Sequence, residues 1–335
     1  MPCSPLGVTV YTMSLATNLN VSQLSLKFYN AKAAVTSVIV GQEDLVERLL
    51  IATLAKGHIL LEGVPGLAKT KTVKTFSKVC NVNSQRIQFT PDLMPSDVVG
   101  TRIWSPGTGE FITELGPICT NFLLADEINR ASAKVQSALL QAMEERQVTI
   151  GKNTYTISEP FMVLATQNPV ESEGTFTLPA AQIDRFLMKV TLTYPTKKQE
   201  IEILRRHISE EVHVDPTLSA DDILNARVLC QNIHVPKNVA LTIIDIVHAT
   251  RHPQEVNSAW EGVTRYGAGV RGSLALTTSA QARAFLKGRD EVVLGDVADL
   301  AHDTLAHRIC ISHSGAIARV SESDIIRGVL AHVGL

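Results

Sequence analysis

Cysteine is sparse and unpaired by spacing. Cys3, Cys80, Cys119, Cys230 and Cys310 are five scattered residues in 335, with no C-x-x-C pair and no Cys/His ligand spacing. That pattern argues against a disulfide framework or a zinc site and suits a reducing compartment. Long apolar runs are lacking too: none reaches the roughly 18 residues needed to span a bilayer. No sign of charge is in excess. The formal net charge of −2 gives no global attraction to nucleic acid or to an anionic membrane, so nucleic acid is disfavoured as a partner, although a local basic surface stays open. The first 26 residues contain no Lys, Arg, Asp or Glu. A secretory signal needs positive charge ahead of a continuous apolar stretch, and here Thr, Ser and Asn interrupt the run. Residues 1–30 therefore read as a flexible or loosely docked extension, and the chain as a cytoplasmic protein.

What is present is ordinary globular composition, 45% hydrophobic and 19% charged, in a chain long enough for two domains. Between His58 and about Thr193, short apolar runs alternate with helical patterns. The runs lie at 59–61, 86–89, 122–125, 161–166 and 187–192, and those at 59–61, 122–125 and 161–165 are apolar on consecutive residues, as strands covered on both faces are. Val135, Ala138, Leu139, Ala142 and Met143 follow the spacing of one helix face. This alternation predicts a parallel sheet sandwiched by helices, an α/β fold, over residues 31–195. After Tyr194-Pro195 the pattern turns helical throughout, and residues 196–335 read as an all-α domain. Ser219 with Asp222 forms a capping-box signature, and a last helix is predicted to start at Ser321. No internal repeat or low-complexity tract appears.

The sharpest signal is Gly63-Val64-Pro65-Gly66-Leu67-Ala68-Lys69-Thr70. It follows the apolar run at 59–61 and precedes Val73, Phe76 and Val79, which share a helical face. A strand, a glycine-rich loop and a helix opening on Lys-Thr make a triphosphate cradle: backbone N–H groups and the helix N-terminus face phosphate oxygens. Lys69 would reach the β- and γ-phosphates and the Thr70 hydroxyl would ligate Mg²⁺. Ala68 stands where the motif usually has Gly, and an Ala at positive φ carries strain that Gly avoids.

Three further motifs follow. Phe122-Leu123-Leu124-Ala125-Asp126-Glu127 is a buried strand ending in two carboxylates, where ligands of parallel sheets bind. Asp126 would hold the Mg²⁺ shell and Glu127 would orient and deprotonate water; alone, an acidic helix cap explains the pair about as well. Ala165-Thr166-Gln167-Asn168-Pro169 puts an amide at another strand end, where Asn168 could meet the γ-phosphate or its water; Asn-Pro turn chemistry is the plain alternative. Ile183-Asp184-Arg185-Phe186 offers Arg185 as a guanidinium donated across a subunit interface to the transferring phosphoryl group, against the commoner fate of a surface ion pair. Arg271, opening a helix of the second domain, could drape over the nucleotide from the helical side or be a plain surface charge.

In this order the motifs resemble an AAA+ ATPase, and more narrowly the MoxR family. The resemblance rests on Val40-Gly41-Gln42-Glu43, on Leu61-Glu62 running into the loop, on Ile87-Gln88-Phe89-Thr90-Pro91-Asp92-Leu93 and on Leu124-Ala125-Asp126-Glu127-Ile128-Asn129-Arg130. Gln136-Ser137-Ala138-Leu139-Leu140, Glu145-Arg146-Gln147-Val148-Thr149-Ile150, Ala165-Thr166-Gln167-Asn168-Pro169 and Asp184-Arg185-Phe186-Leu187-Met188 complete it. It covers about 38–309, densely to Val190. Ala in place of the second loop glycine is normal in such chains. The resemblance implies an AAA+ core with a helical lid, ATP hydrolysis with Mg²⁺, and a ring, typically a hexamer. It implies Walker A at 63–70 with Lys71 beside it, Walker B at Asp126-Glu127, sensor 1 at Asn168 and a trans-acting finger at Arg185. Val40, Gly41 and Gln42 would lie near the adenine. Sensor 2 would fall at Arg271, although Val-Arg-Gly-Ser replaces the usual Ser-Pro-Arg-Ala there.

Two hairpins are legible: Trp104 and Phe111 flank a Pro/Gly turn, and 148–150 pairs with 155–157 across a Gly-Lys-Asn turn. Family chains use such hairpins at the pore or face of the ring. The expected activity is remodelling or assembly of protein partners, often with a von Willebrand factor A domain protein and in some cases in metal cofactor insertion. A metal-chelatase motor subunit, a nucleic-acid motor and a nucleotide-gated scaffold with little turnover are the alternatives.

Overall fold

A computed structural model of the chain describes residues 20–63, 67–168, 176–208 and 214–335. Its first helix, Val21–Val38, is capped by Asn20, whose side chain accepts from the Gln23 N–H at 2.9 Å. Leu24, Phe28, Ala31 and Val35 recur at helical spacing and are buried, and Phe28 meets Phe285 edge-on at 5.6 Å. Residues 21–30 thus belong to a packed helix and not to a loose extension. The apolar stripe holds them despite their lack of charge. Residues 1–19 lie outside the described residues.

The second helix, Glu43–Leu54, leads into β1 (Ile59–Glu62), and the helix Lys69–Val79 follows. Next come β2 (Ser84–Gln88), the antiparallel pair β3 (Gly100–Ser105) and β4 (Glu110–Leu115), and β5 (Phe122–Asp126). The helix Ala133–Glu145 precedes a second antiparallel pair, β6 (Gln147–Ile150) and β7 (Asn153–Thr156), and then β8 (Met162–Gln167) and β9 (Met188–Thr191). Both expected hairpins are present, the second turning on Gly151-Lys152 alone, with Asn153 already in the strand.

Five strands form one parallel sheet in the order β2-β5-β8-β1-β9. Successive strand residues point to opposite faces, and both faces are covered. Ile59, Leu61, Phe122, Leu124, Met162 and Leu164 belong to one core. Leu60, Leu123, Ala125, Val163 and Ala165 belong to the other. This two-sided burial is why the strands read as unbroken apolar runs.

The C-terminal part is mainly helical, with Lys197–Ile208, Ala220–Gln231, Lys237–Arg251, Val270–Leu286, Leu294–Leu305 and Glu322–His332 as its longer helices, but it is not all-α as expected: β10 (Thr264–Tyr266) and β11 (Cys310–Ile311) form a short antiparallel pair. The capping box of Ser219 with Asp222 forms as the sequence predicts, and the last helix is capped at the expected Ser321, which makes a second box with Asp324. The core on the first face of the sheet continues without a break through Ile223, Ile246, Leu276, Leu300 and Val329. Arg48 of the second helix also pairs with Asp303 at 2.6 Å.

Candidate active site

Strand register decides which side chains meet. Gln88 lies opposite Asp126 and Glu62 opposite Gln167, so four parallel strands finish on one level. A cavity of about 530 Å³ opens there, in the size range of small-molecule sites. It is lined by Gly63, Leu67, Ala68, Lys69, Thr70, Lys71, Arg86, Gln88, Asp126, Glu127, Thr166 and Asn168. Lys69, Thr70, Asp126, Glu127 and Asn168 are therefore together as the motifs require. Val64, Pro65, Gly66 and Pro169 lie outside the described residues.

The loop turns into its helix through Ala68 at φ 54° and ψ 23°, a left-handed residue. This is the strained conformation foreseen for an alanine at this position. Ala68 offers no side-chain acceptor to the helix that follows. The opening N–H groups at Lys69, Thr70 and Lys71 have no intrahelical acceptor either, and these residues line the cavity. An uncapped helix start beside a lysine is a ready anion site. Gly63 is needed for close approach: a Cβ there would meet Leu192 Cβ at 3.0 Å and its carbonyl oxygen at 3.1 Å. The Lys69 ammonium donates to the Gly63 carbonyl at 3.0 Å. Burial pulls its pKa below the usual lysine range, while the Asp126 and Glu127 carboxylates act in the opposite direction.

One hydroxyl organises the two acids. Thr166 Oγ1 donates to Asp126 Oδ1 at 2.7 Å and accepts the Glu127 N–H at 2.8 Å. The other Asp126 oxygen accepts from Arg86 Nη2 at 2.7 Å, and the same nitrogen reaches Gln88 Oε1 at 2.7 Å. Glu127 is itself left-handed at φ 57°. Its Oε2 accepts from Gln88 Nε2 at 2.8 Å and pairs with Arg130 at 3.1 Å. Asn168 is buried, and its carbonyl accepts from Asn129 Nδ2 at 3.5 Å. Arg86, Gln88, Arg130 and Thr166 had no role in the sequence reading. Their signal is position: Gln88 and Thr166 sit at or next to the ends of strands that the register brings level, and Arg86 lies two residues before Gln88 on the same face of its strand.

The donor set fits Mg²⁺. Thr70 and Asp126 supply hard oxygen ligands, and the described residues hold no cluster of three or more His, Cys, Asp or Glu. Mg²⁺ takes one or two carboxylates and fills its shell with phosphate and water.

The remaining expected residues lie outside this cavity, as a trans-acting Arg185 must, and Arg271 alone is a correction. Of Val40, Gly41 and Gln42, none lines this cavity; Gln42 acts on the loop at one remove, donating from Nε2 to the Leu67 carbonyl at 3.1 Å. Arg271 does not drape over the nucleotide cavity of its own chain. Its helix, Val270–Leu286, packs through Leu276, Ala280 and Phe285 in the common core, which carries Arg271 to the end of the helix Ala133–Glu145. There it donates to Glu144 at 2.9 Å. Arg185 also lies away from the first cavity, with its Nη2 3.0 Å from Glu144. Both arginines line a second cavity of about 310 Å³.

Comparison with known proteins agrees with this architecture. Residues 58–188 match the ATPase family associated with various cellular activities (AAA), and residues 261–329 match the AAA lid domain. The chain is 45% identical over 305 residues to Chaperone MoxR1 of Mycobacterium tuberculosis, covering 90% of this chain and 80% of that protein. It is 31% identical to Protein MoxR of Paracoccus denitrificans, covering 88% and 91%. A crystal structure of a proposed ATPase from Cytophaga hutchinsonii superposes with a TM-score of 0.88 at 44% identity, covering 93% of this chain and 96% of that one. With a parallel sheet, a helical lid and these relatives over nearly its whole length, the chain belongs to the MoxR family of AAA+ ATPases.

Proposed function

We propose that the chain binds ATP in the first cavity and hydrolyses it to ADP and phosphate, working as a subunit of a ring, typically a hexamer. The observation that carries this reading is the convergence of Lys69, Thr70, Asp126, Glu127 and Asn168 on one cavity at the ends of parallel strands. Lys69 and the opening turn of its helix neutralise the phosphates. Thr70 and Asp126 would hold Mg²⁺, which would supply charge stabilisation to the phosphates. Glu127, steadied by Gln88 and Arg130, takes a proton from the attacking water as its oxygen bonds to the γ-phosphorus and the bond to the β–γ bridging oxygen breaks. Asn168 orients that water or the γ-phosphate. Arg185 and Arg271 reach a neighbour's nucleotide from the second cavity and spread the transition-state charge. Val40, Gly41 and Gln42 would lie near the adenine, a role supported only by the bond from Gln42 to the Leu67 carbonyl of the loop.

Nucleotide-driven motion of the residues 196–335 against the residues 31–195 remodels a protein client, a von Willebrand factor A domain partner among the candidates. Support comes from the β3–β4 hairpin, which exposes Ile103, Trp104, Phe111 and Ile112 and stacks Arg102 over Phe111 at 5.0 Å. Such an apolar tip suits contact with protein at the pore or face of a ring. Steady-state hydrolysis by wild type and by Glu127→Gln tests the reading. The expected result is turnover lost by at least about a hundredfold with ATP affinity kept. Equal near-zero rates with retained affinity would make the protein a nucleotide-gated scaffold instead.

A further inference from the structure

We infer that Glu144 is a positioning residue for the neighbouring subunit's ATP site, its one carboxylate holding Arg185 and Arg271 as a pair. The inference rests on the proposed trans action of these arginines. Glu144 stands near the end of the helix Ala133–Glu145. Its Oε2 is 3.0 Å from Arg185 Nη2, and its Oε1 is 2.9 Å from Arg271 Nη2. The two guanidiniums come from different parts of the chain, one from the segment before β9 and the other from the first turn of Val270–Leu286. Two cations so close repel, and a carboxylate between them is what sets their separation. Arg271 is tied again on its far side, 3.5 Å from Asp184. Asp184 is anchored by the buried Arg308, which donates to Asp184 Oδ1 at 2.9 Å and to the Phe186 carbonyl at 2.8 Å. A chain of alternating charge therefore runs from the helical part to Arg185, with Glu144 as its last anion.

As stability elements these contacts are minor, because Glu144 and Arg271 are about half exposed and such ion pairs contribute little. Their geometry has another use. Lys56 and Arg146 add positive charge to the same cavity wall, so the face suits a polyphosphate delivered by another copy of the chain. Both guanidiniums then enter that site already spaced by a carboxylate, in place of two freely moving side chains.

The test is Glu144→Gln, which keeps the size and removes the charge. The expected result is a kcat about tenfold lower, with KM for ATP and the thermal midpoint unchanged, because Glu144 does not line the first cavity. A trans readout separates positioning from a structural role. Mixing Glu144→Gln subunits with Lys69→Ala subunits restores turnover, since the latter lack a working site of their own but present an intact arginine pair to the former. Arg185→Ala mixed with Lys69→Ala is the control. Wild-type kcat in Glu144→Gln overturns the inference, as does a loss that Lys69→Ala leaves unrestored while it restores Arg185→Ala. If Arg185→Ala is not restored either, the trans reading itself fails and takes the inference with it.

Discussion

Thr166 concentrates the geometry of the acids in one atom, and Thr166→Val isolates it. Valine matches threonine in shape but lacks the hydroxyl, so a side chain that is 1% exposed stays packed while two hydrogen bonds disappear. The first is the donor to Asp126 Oδ1 at 2.7 Å, a bond to a charged group, worth about 1.5–3 kcal/mol. The second is the acceptor for the Glu127 N–H at 2.8 Å; an N–H left without a partner costs about 1–3 kcal/mol, the lower end applying where water from the cavity replaces it. With water replacing the lost acceptor, the variant is expected to lose about 2.5–4 kcal/mol of folding stability. Its turnover should fall about tenfold or more, because both acids lose their common tether. Urea unfolding followed by intrinsic fluorescence, together with a phosphate-release assay, reads both quantities. Thr166→Ser, which keeps the hydroxyl, should recover most of the turnover. Stability within about 0.5 kcal/mol of wild type with unchanged turnover in the valine variant would mean that Thr166 does not tether the two acids.

Other perturbations probe the loop and the core. At Ala68, held at φ 54°, glycine is expected to leave stability within about 1 kcal/mol of wild type, since relief of strain offsets backbone entropy; Ala68→Val should lose at least about 1–2 kcal/mol and weaken ATP binding, as thermal melts with and without nucleotide would register. His58 is fully buried, taking the Val163 N–H on Nδ1 at 2.9 Å, so that Nε2 carries the proton toward the Met143 carbonyl at 3.1 Å. Burial pushes its pKa down to about 3, so below the ordinary histidine value of 6.5 the unfolded chain binds the proton first and stability falls with pH. His307, buried and likewise lowered, acts in the same window. Between pH 6.5 and 5.5, above the range where the lowered carboxylates Glu47 and Glu159, with an ordinary value of 4.5, titrate in the unfolded chain, His58→Asn should flatten this decline; equal slopes for wild type and variant would remove His58 from the account.

Local chemistry was legible in the sequence, while placement between distant segments was not. The loop at 63–70 and the strand ending in Asp126-Glu127 declare themselves because each is a contiguous stretch with its own chemistry, and the sheet follows from apolar runs that only two-sided burial explains. The helix Val21–Val38 follows a stretch without charge that resembles a loose extension, although Leu24, Phe28, Ala31 and Val35 carry a helical stripe. Arg86, Gln88 and Thr166 become site residues only through register, which aligns strands β2, β5 and β8 from segments some forty residues apart. Arg271 depends on the packing of its whole helix, and nothing within Val270-Arg271-Gly272-Ser273 specifies that its neighbours will be Glu144 and Asp184. The same long-range packing hid Glu144, an ordinary helix-surface glutamate until two arginines are seen on either side of it.

Isothermal titration of ATP with Mg²⁺ into the folded Glu127→Gln protein, beside the same titration of Lys69→Ala, shows whether ATP is held by the cavity around Lys69. Saturable heat with the first protein and its loss in the second is the result this account expects. No heat from well-folded Glu127→Gln, or undiminished binding without the Lys69 ammonium, would contradict it.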